Sequence, residues 1–209
     1  MANSDFYYGA YPAEYSNSLS GIFDMKMRNG NTTDFAHAVQ LGIWGFDLSS
    51  ERPINKKSGS SYLFNYRYSY SGLADKISGS DEGLNYQDLA FKINLPTKKL
   101  GTFTFWGIGL LDKIIQRPED DPKQWETSME RQEQKADFQK GAIGMAHTLS
   151  WNDNTYLRSN IGITFSGTKA ENHIYDNELN RIPVAFATQH ETNLQINTFT
   201  VSYTHLLAH

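Results

Sequence analysis

The chain has 209 residues, 19 basic and 23 acidic, a formal net charge of −4 and no cysteine. That excludes a disulfide framework, a thiolate metal site and a cysteine nucleophile, and the weakly negative balance argues against a nucleic-acid partner. No apolar run approaches the roughly 18 residues of a membrane helix, and residues 1–5 carry neither the basic region nor the apolar stretch of a secretory signal.

Twelve Tyr and twelve Phe stand beside 16 Gly and only 6 Pro, a mixture that suits many strands joined by tight turns. Residues 6–31 hold Gly9, Pro12, Gly21 and Gly30 and one short alternating piece, Ile22, Phe23, Met25 and Met27. This reads as a compact element ahead of the strands. From 62 to 70, Tyr62, Phe64, Tyr66, Tyr68 and Tyr70 fall on one face and Leu63, Asn65, Arg67 and Ser69 on the other. Leu89, Phe91, Ile93 and Leu95 alternate with Asp88, Ala90, Lys92 and Asn94 in the same way. The segment 102–111 carries apolar residues on both faces. In 142–150, Ile143, Met145, His147 and Leu149 oppose small residues, and in 157–165 Leu157, Ile161, Ile163 and Phe165 oppose Arg158, Asn160 and Thr164. In 192–205 the apolar set changes parity between Ile196 and Phe199, which predicts a β-bulge.

These strands exceed the usual length of about 5–6 residues and fit the roughly 9–11 of a tilted membrane-spanning strand. Connections alternate between short (55–59, 97–101, 152–154) and long (72–85, 112–138, 168–190). Up-and-down outer-membrane barrels sort their loops this way. The expected fold is all-β: an antiparallel up-and-down meander forming a partial, open transmembrane β-barrel of about eight strands.

The string Gly9-Ala10-Tyr11-Pro12-Ala13-Glu14-Tyr15, continuing through Ser20-Gly21-Ile22-Phe23-Asp24-Met25-Lys26, resembles the end of the plug domain in TonB-dependent outer-membrane receptors, most closely those of Bacteroidetes. Tyr62-Leu63-Phe64-Asn65-Tyr66-Arg67-Tyr68-Ser69, the stretch 86–96 and Gly101-Thr102-Phe103-Thr104-Phe105-Trp106-Gly107 are similar to early barrel strands of the same family. The likeness spans about residues 5–165, with Ser16 standing where the family commonly has glycine. It implies that 1–31 are the C-terminal end of a plug and 32–209 the N-terminal portion of a barrel. Such receptors close about 22 strands around a plug, and residues 203–209 lack the terminal aromatic of a finished barrel. The chain is therefore expected to be part of a receptor for nutrient uptake in the outer membrane, inactive in transport by itself. The implied partners are the lipid bilayer, the remainder of barrel and plug, the TonB complex, and a small-molecule or oligosaccharide cargo. The plug motif rests on Pro12, Glu14, Tyr15 and Gly21.

No catalytic signature is present: there is no Gly-x-Ser-x-Gly elbow, phosphate loop or His-Glu-x-x-His helix. The chain is not expected to be an enzyme or to hold a metal or cofactor. The six histidines lack ligand spacing apart from His205 and His209. The acidic clusters Asp81-Glu82, Glu119-Asp120-Asp121 and Asp176-Asn177-Glu178 sit in expected loops without a calcium-loop frame. Within 112–138, Asp121, Pro122 and Gln124 predict a capped helix with an apolar stripe of Trp125, Met129 and Ala136. Trp125 is a candidate stacking platform for cargo or, alternatively, an anchor for its own loop. Arg67 and Arg158, with Lys92, belong to the polar rows and are candidates for cargo contact or for pairing with Glu14 or Asp24. The competing reading is a soluble β-sandwich binding module of lectin type, which requires the aromatic rows to be buried.

Overall fold

The computed structural model describes residues 4–9, 20–70, 83–152, 155–183 and 188–204. A two-stranded antiparallel sheet comes first, β1 (Asp5–Tyr7) with β2 (Ile22–Asp24). One large antiparallel sheet follows: β3 (Ala36–Gly42), β4 (Gly45–Asn55), β5 (Ser60–Tyr70), β6 (Gly83–Pro96), β7 (Thr102–Gln116), β8 (Gln132–Asn152), β9 (Thr155–Tyr175), β10 (Arg181–Ile182) and β11 (Thr188–Thr204). Each of β3 to β9 pairs with its successor, and β10 and β11 both pair with β9. Among the described residues these nine strands thus form a sequential meander that does not close on itself, since β3 and β11 are not hydrogen-bonded to each other.

Register divides the side chains into two faces. Cross-strand partners share a face, so Leu48, Tyr66, Leu89, Gly109, Gly141, Phe165 and Leu194 form one row. The next row on this face runs Ser50, Phe64, Phe91, Gly107, Ile143, Ile163 and Ile196. The opposite face carries Asp47, Arg67, Asp88, Leu110, Lys140, Ser166 and Asn193 in one row and Ser49, Asn65, Ala90, Ile108, Ala142, Thr164 and Gln195 in another. Every residue that alternation places on the apolar face lies there, and Asn65, Arg67, Lys92, Asn94, Arg158 and Asn160 lie on the other. Segment 102–111 explains its mixed character: Phe103 and Phe105 belong to the apolar face, whereas Trp106, Ile108 and Leu110 enter the polar one.

The sheet is a single layer. Among the described residues the only buried apolar side chains are Ala136 and Pro53, and the chain exposes 15131 Å². A compact protein of 23.7 kDa exposes about 9,800 Å². On the apolar face Leu48, Phe105, Ile143, Ile161, Ile163, Leu194 and Ile196 are all exposed. No second sheet packs on it among the described residues, so the architecture is not a two-layer sandwich.

Four expectations are corrected. The long connections are shorter than 112–138 and 168–190, because β7 continues to Gln116, β8 begins at Gln132 and β9 continues to Tyr175. The polar residues there are strand residues, with opposite charges facing one another in the rows Lys113–Asp137–Lys169 and Lys135–Glu171 and ion pairs along the strands, Lys135 to Glu133 at 2.8 Å and Lys169 to Glu171 at 2.9 Å. Second, Ile43 and Trp44 alone join β3 to β4, at the end of the sheet that otherwise has the longer connections. Third, β9 and β11 keep an unbroken register from Thr188 to Thr204, so no bulge lies between Ile196 and Phe199. The irregularities fall at Pro53/Asn55 and Ser150/Asn152, beside the short turns. Fourth, the helix of 112–138 is only a 3₁₀ turn, Pro122–Gln124. Asp121 caps it through Lys123 N at 3.0 Å, but Gln124 bonds the Asp121 carboxylate, not its backbone N–H, and Ala136 belongs to β8. Of the three short turns, 153–154 lie outside the described residues.

Candidate functional site

The N-terminal segment is fastened to the polar face. Arg28 reaches Glu51 of β4 with both nitrogens, Nη1 to Oε2 at 2.5 Å and Nη2 to Oε1 at 2.9 Å. The Asn31 N–H donates to the same Oε2 at 3.0 Å. Between them Gly30 is buried against the β5 backbone, where a Cβ would lie 2.0 Å from the Tyr62 carbonyl oxygen. Only glycine permits that approach. Lys92 of β6 donates to the Met27 carbonyl at 2.6 Å. Glu51, Leu63 and Lys92 are successive neighbours on the polar face, so residues 27–31 lie across β4, β5 and β6. Further back, Lys26 pairs with Asp5 at 2.7 Å and Asp24 at 3.2 Å. The hydrogen bond to Asp5, then that to Asp24, raises the Lys26 pKa above the usual lysine range. Asp24 is therefore committed to Lys26 and not to Arg67 or Arg158, which corrects one proposed pairing. Pro12, Glu14 and Tyr15 lie outside the described residues, as do Asp81, Glu82, His205 and His209. Gly21 precedes β2, with the Phe6 ring 3.4 Å from where its Cβ would be.

Arg67 and Arg158 share a face but not a site. Arg67 lies near the long-connection end of β5, with Nε on Asp88 Oδ2 at 2.7 Å and its guanidinium 5.4 Å from the Tyr86 ring centroid. Asp47 is its other cross-strand neighbour. Arg158 lies near the opposite end of β9, paired with Thr148 of β8. Four strand spacings of about 4.8 Å separate β5 from β9. Trp125 is elsewhere again: its indole N–H donates to the Glu119 carbonyl at 2.9 Å, inside its own connection. That contact matches the anchoring role. The three candidates are thus not brought together.

At the long-connection end, β8, β9 and β10 are joined by Glu133, whose Oε2 accepts from Tyr175 Oη at 3.0 Å and Arg181 Nη2 at 3.2 Å. The turn beyond is organised by Asp176, whose Oδ1 accepts from the Glu178 and Asn180 N–H groups, each at 2.9 Å. The Asn180 N–H bond is the largest cause of the lowered Asp176 pKa. A depressed carboxyl pKa supports the turn at neutral pH and releases that support as pH falls through it. Amide exchange at Glu178 and Asn180 is expected to accelerate once the pH drops below the ordinary aspartate range. Asp176→Asn, which keeps an acceptor oxygen but does not titrate, is expected to hold exchange constant relative to the intrinsic rate.

A groove of about 620 Å³ opens on the apolar-face side where that face turns polar, between Tyr68, Leu111 and Phe165 below and Lys113, Asp137 and Lys169 above. Its lining carries two lysines, Lys113 and Lys169, and two aspartates, Asp112 and Asp137, so it presents no excess of either sign to a ligand. Among the described residues no three His, Cys, Asp or Glu side chains form a group able to hold a metal ion.

Sequence reasoning missed two features of the polar face. The Arg28–Glu51 fork joins residues 23 apart with no local pattern. Trp106 lies over Gly144 of the neighbouring strand, a relation visible only once the register is known. No family model, curated protein or solved structure matches the chain.

Proposed function

We propose that this chain forms part of the wall of a TonB-dependent receptor in the outer membrane, with residues 1–31 as the end of its plug and the sheet as consecutive barrel strands. The observation that carries this reading is the apolar face. Its rows continue across β4, β5, β6, β7, β8, β9 and β11 with no described residue packed over them. Hydrocarbon is a fitting solvent for such a face, and a hydrated lumen for the opposite one.

Strand length and aromatic placement support the same assignment. A strand of 21 residues, as in β8 and β9, extends about 70 Å, or roughly 50 Å in height at a 45° tilt. An apolar band about 25 Å tall leaves the remainder outside the bilayer. The polar rows through Lys113, Asp137 and Lys169 belong to that projecting part. Phe46 packs against Tyr66 and Tyr68 with ring centroids 5.8 and 5.7 Å away, at the end of the band where an interfacial girdle is expected. The free edges of β3 and β11 are completed by further antiparallel strands, because hydrocarbon does not tolerate unpaired backbone groups.

The intact receptor captures a nutrient at its outer mouth and passes it inward when the plug is displaced. The open sheet alone encloses no lumen. Reconstituted into liposomes, these 209 residues are expected to give neither discrete single-channel conductance nor cargo uptake. A uniform closed pore or cargo-specific uptake by this polypeptide would contradict the proposal.

A further inference from the structure

Three successive rows on the apolar-face side meet at the groove near the long-connection end of the sheet. The outermost is Lys113, Asp137 and Lys169, ending at His190. Two residues further in along each strand come Gln87, Gln139 and Thr192, in one row with Leu111 and Gly167. The third row is Leu89, Gly109, Gly141, Phe165 and Leu194. Successive rows lie about 7 Å apart along a strand, or roughly 5 Å in depth at a 45° tilt. Polarity therefore falls in steps, from charges through amides and a hydroxyl to hydrocarbon.

Two opposite charges in the outermost row are free. Lys113 and Asp137 are direct cross-strand partners, yet among the described residues neither closes an ion pair or a hydrogen bond. Lys169, by contrast, is held by Glu171 at 2.9 Å. The strands that carry the free ammonium and the free carboxylate are one spacing of about 4.8 Å apart. Asp112 also lines the groove, but register assigns it to the opposite face. In the third row no side chain covers Gly109 or Gly141. A Cβ on Gly109 would meet only Lys140 O, at 4.0 Å, and one on Gly141 only Ile108 O and Gly109 Cα, at 3.3 and 3.9 Å. Gly107 is different: the Phe91 ring lies 2.4 Å from where its Cβ would be. An uncovered slot thus runs over Gly109 and Gly141 between Leu89 and Phe165.

We propose that this groove seats one molecule of phosphatidylethanolamine, a membrane lipid with a zwitterionic head. Its phosphate faces Lys113 and its primary ammonium donates to Asp137. The ester carbonyls lie at the depth of Gln87 and Gln139, and an acyl chain fills the slot over Gly109 and Gly141 beside Phe165. The two-carbon bridge of the head sets phosphate and ammonium apart by a distance comparable with one strand spacing, so both charges are met at once. An anionic lipid would bring phosphate against Asp137 with no ammonium to answer it, and a choline head has no N–H to donate. The inference rests on the assignment of the apolar face to lipid, and it adds a preferred lipid at one place on that face.

The chain has four tryptophans, so replacing Trp44, Trp106, Trp125 and Trp151 with Phe and introducing Leu111→Trp puts a single indole in the groove. The full chain is refolded into phosphatidylcholine vesicles doped with phosphatidylethanolamine, phosphatidylglycerol or phosphatidylcholine brominated on the acyl chains. Quenching at Leu111→Trp is expected to report two- to fivefold tighter association of phosphatidylethanolamine than of either other lipid, about the effect of one exposed charge pair. The same reporter at Leu48→Trp, on the apolar face of β4 and outside the groove, is expected to show no preference. Asp137→Asn is expected to remove the phosphatidylethanolamine preference and to raise association of phosphatidylglycerol, a reversal that loosened packing does not produce. Gly141→Leu, which fills the slot, is expected to abolish the preference, with retained strand content checked by circular dichroism. Equal quenching by the three lipids at Leu111→Trp, or an unchanged preference in folded Asp137→Asn, overturns the site. A preference for phosphatidylglycerol also overturns it, in favour of an anionic lipid. Quenching without preference removes only the lipid site, whereas no quenching at either Leu48→Trp or Leu111→Trp removes the receptor reading as well, because the apolar face is then out of contact with lipid.

Discussion

Ile163→Arg is expected to destabilise the sheet in lipid by about 2–4 kcal/mol, the cost of an arginine near the bilayer midplane on the face that the receptor proposal assigns to lipid. Ile163 lies in the centre of the apolar face, with Ile143 and Ile196 as its cross-strand neighbours. No compensating carboxylate stands in that row. Thr164→Arg, one residue further along β9, falls on the opposite face, between Ala142 and Gln195. A guanidinium there meets amides and water and is expected to change stability by less than about 1 kcal/mol. Urea titration of the chain refolded into phosphatidylcholine vesicles, followed by tryptophan emission, measures both. Equal losses from the two arginines would remove the distinction between the faces.

Gly30→Ala is expected to detach the N-terminal segment from the sheet. The added Cβ would fall 2.0 Å from the Tyr62 carbonyl oxygen and 2.4 Å from its carbon. Both are backbone atoms of a paired strand, so the segment is the part that moves. Overpacking of this kind costs about 1–3 kcal/mol, and here it opposes the Arg28–Glu51 fork directly. Trypsin cleavage after Lys26 and Arg28 is expected to accelerate about five- to hundredfold, in proportion to the population of the lifted state. Glu51→Gln retains an acceptor for Asn31 N–H while removing the charge, and is expected to produce a smaller acceleration. Unchanged cleavage in Gly30→Ala would show that the segment is not seated on β5.

Much of this arrangement was legible in the sequence where one face is apolar. The rows through Phe64, Phe91 and Ile163 follow from period two alone, because a one-residue slip would turn the whole set to the other side. Antiparallel neighbours in chain order followed from the short turns at 55–59 and 97–101. Legibility ended where both faces become polar. Lys135, Asp137, Lys169 and Glu171 have the composition of a loop, and only pairing between β8 and β9 makes them strand. The parity change after Ile196 suggested a bulge because an apolar residue on the polar face looks like a shift of register. The structure accommodates Trp106, Ile108 and Leu110 on that face without any such shift. The candidate site was harder still. Arg67 and Arg158 were placed on the correct face, but their separation across four strand spacings depends on the order of pairing. Gly30 gave no signal of its own, since a glycine needed for close approach cannot be distinguished in sequence from one needed for a turn.

The absence of cysteine makes one measurement direct: a single nitroxide label at each of six positions in the chain reconstituted into lipid vesicles. Phe64→Cys, Phe91→Cys and Ile163→Cys sample the apolar face, and Asn65→Cys, Asn160→Cys and Thr164→Cys the polar one. Relaxation enhancement by oxygen, which partitions into hydrocarbon, is compared with that by a water-soluble nickel chelate. The expected result is oxygen-dominated relaxation at the first three sites and nickel-dominated relaxation at the other three, alternating between adjacent residues such as 64 and 65. Nickel-dominated relaxation on both faces, or oxygen dominance without alternation, would contradict a sheet with one face in lipid and the other in water.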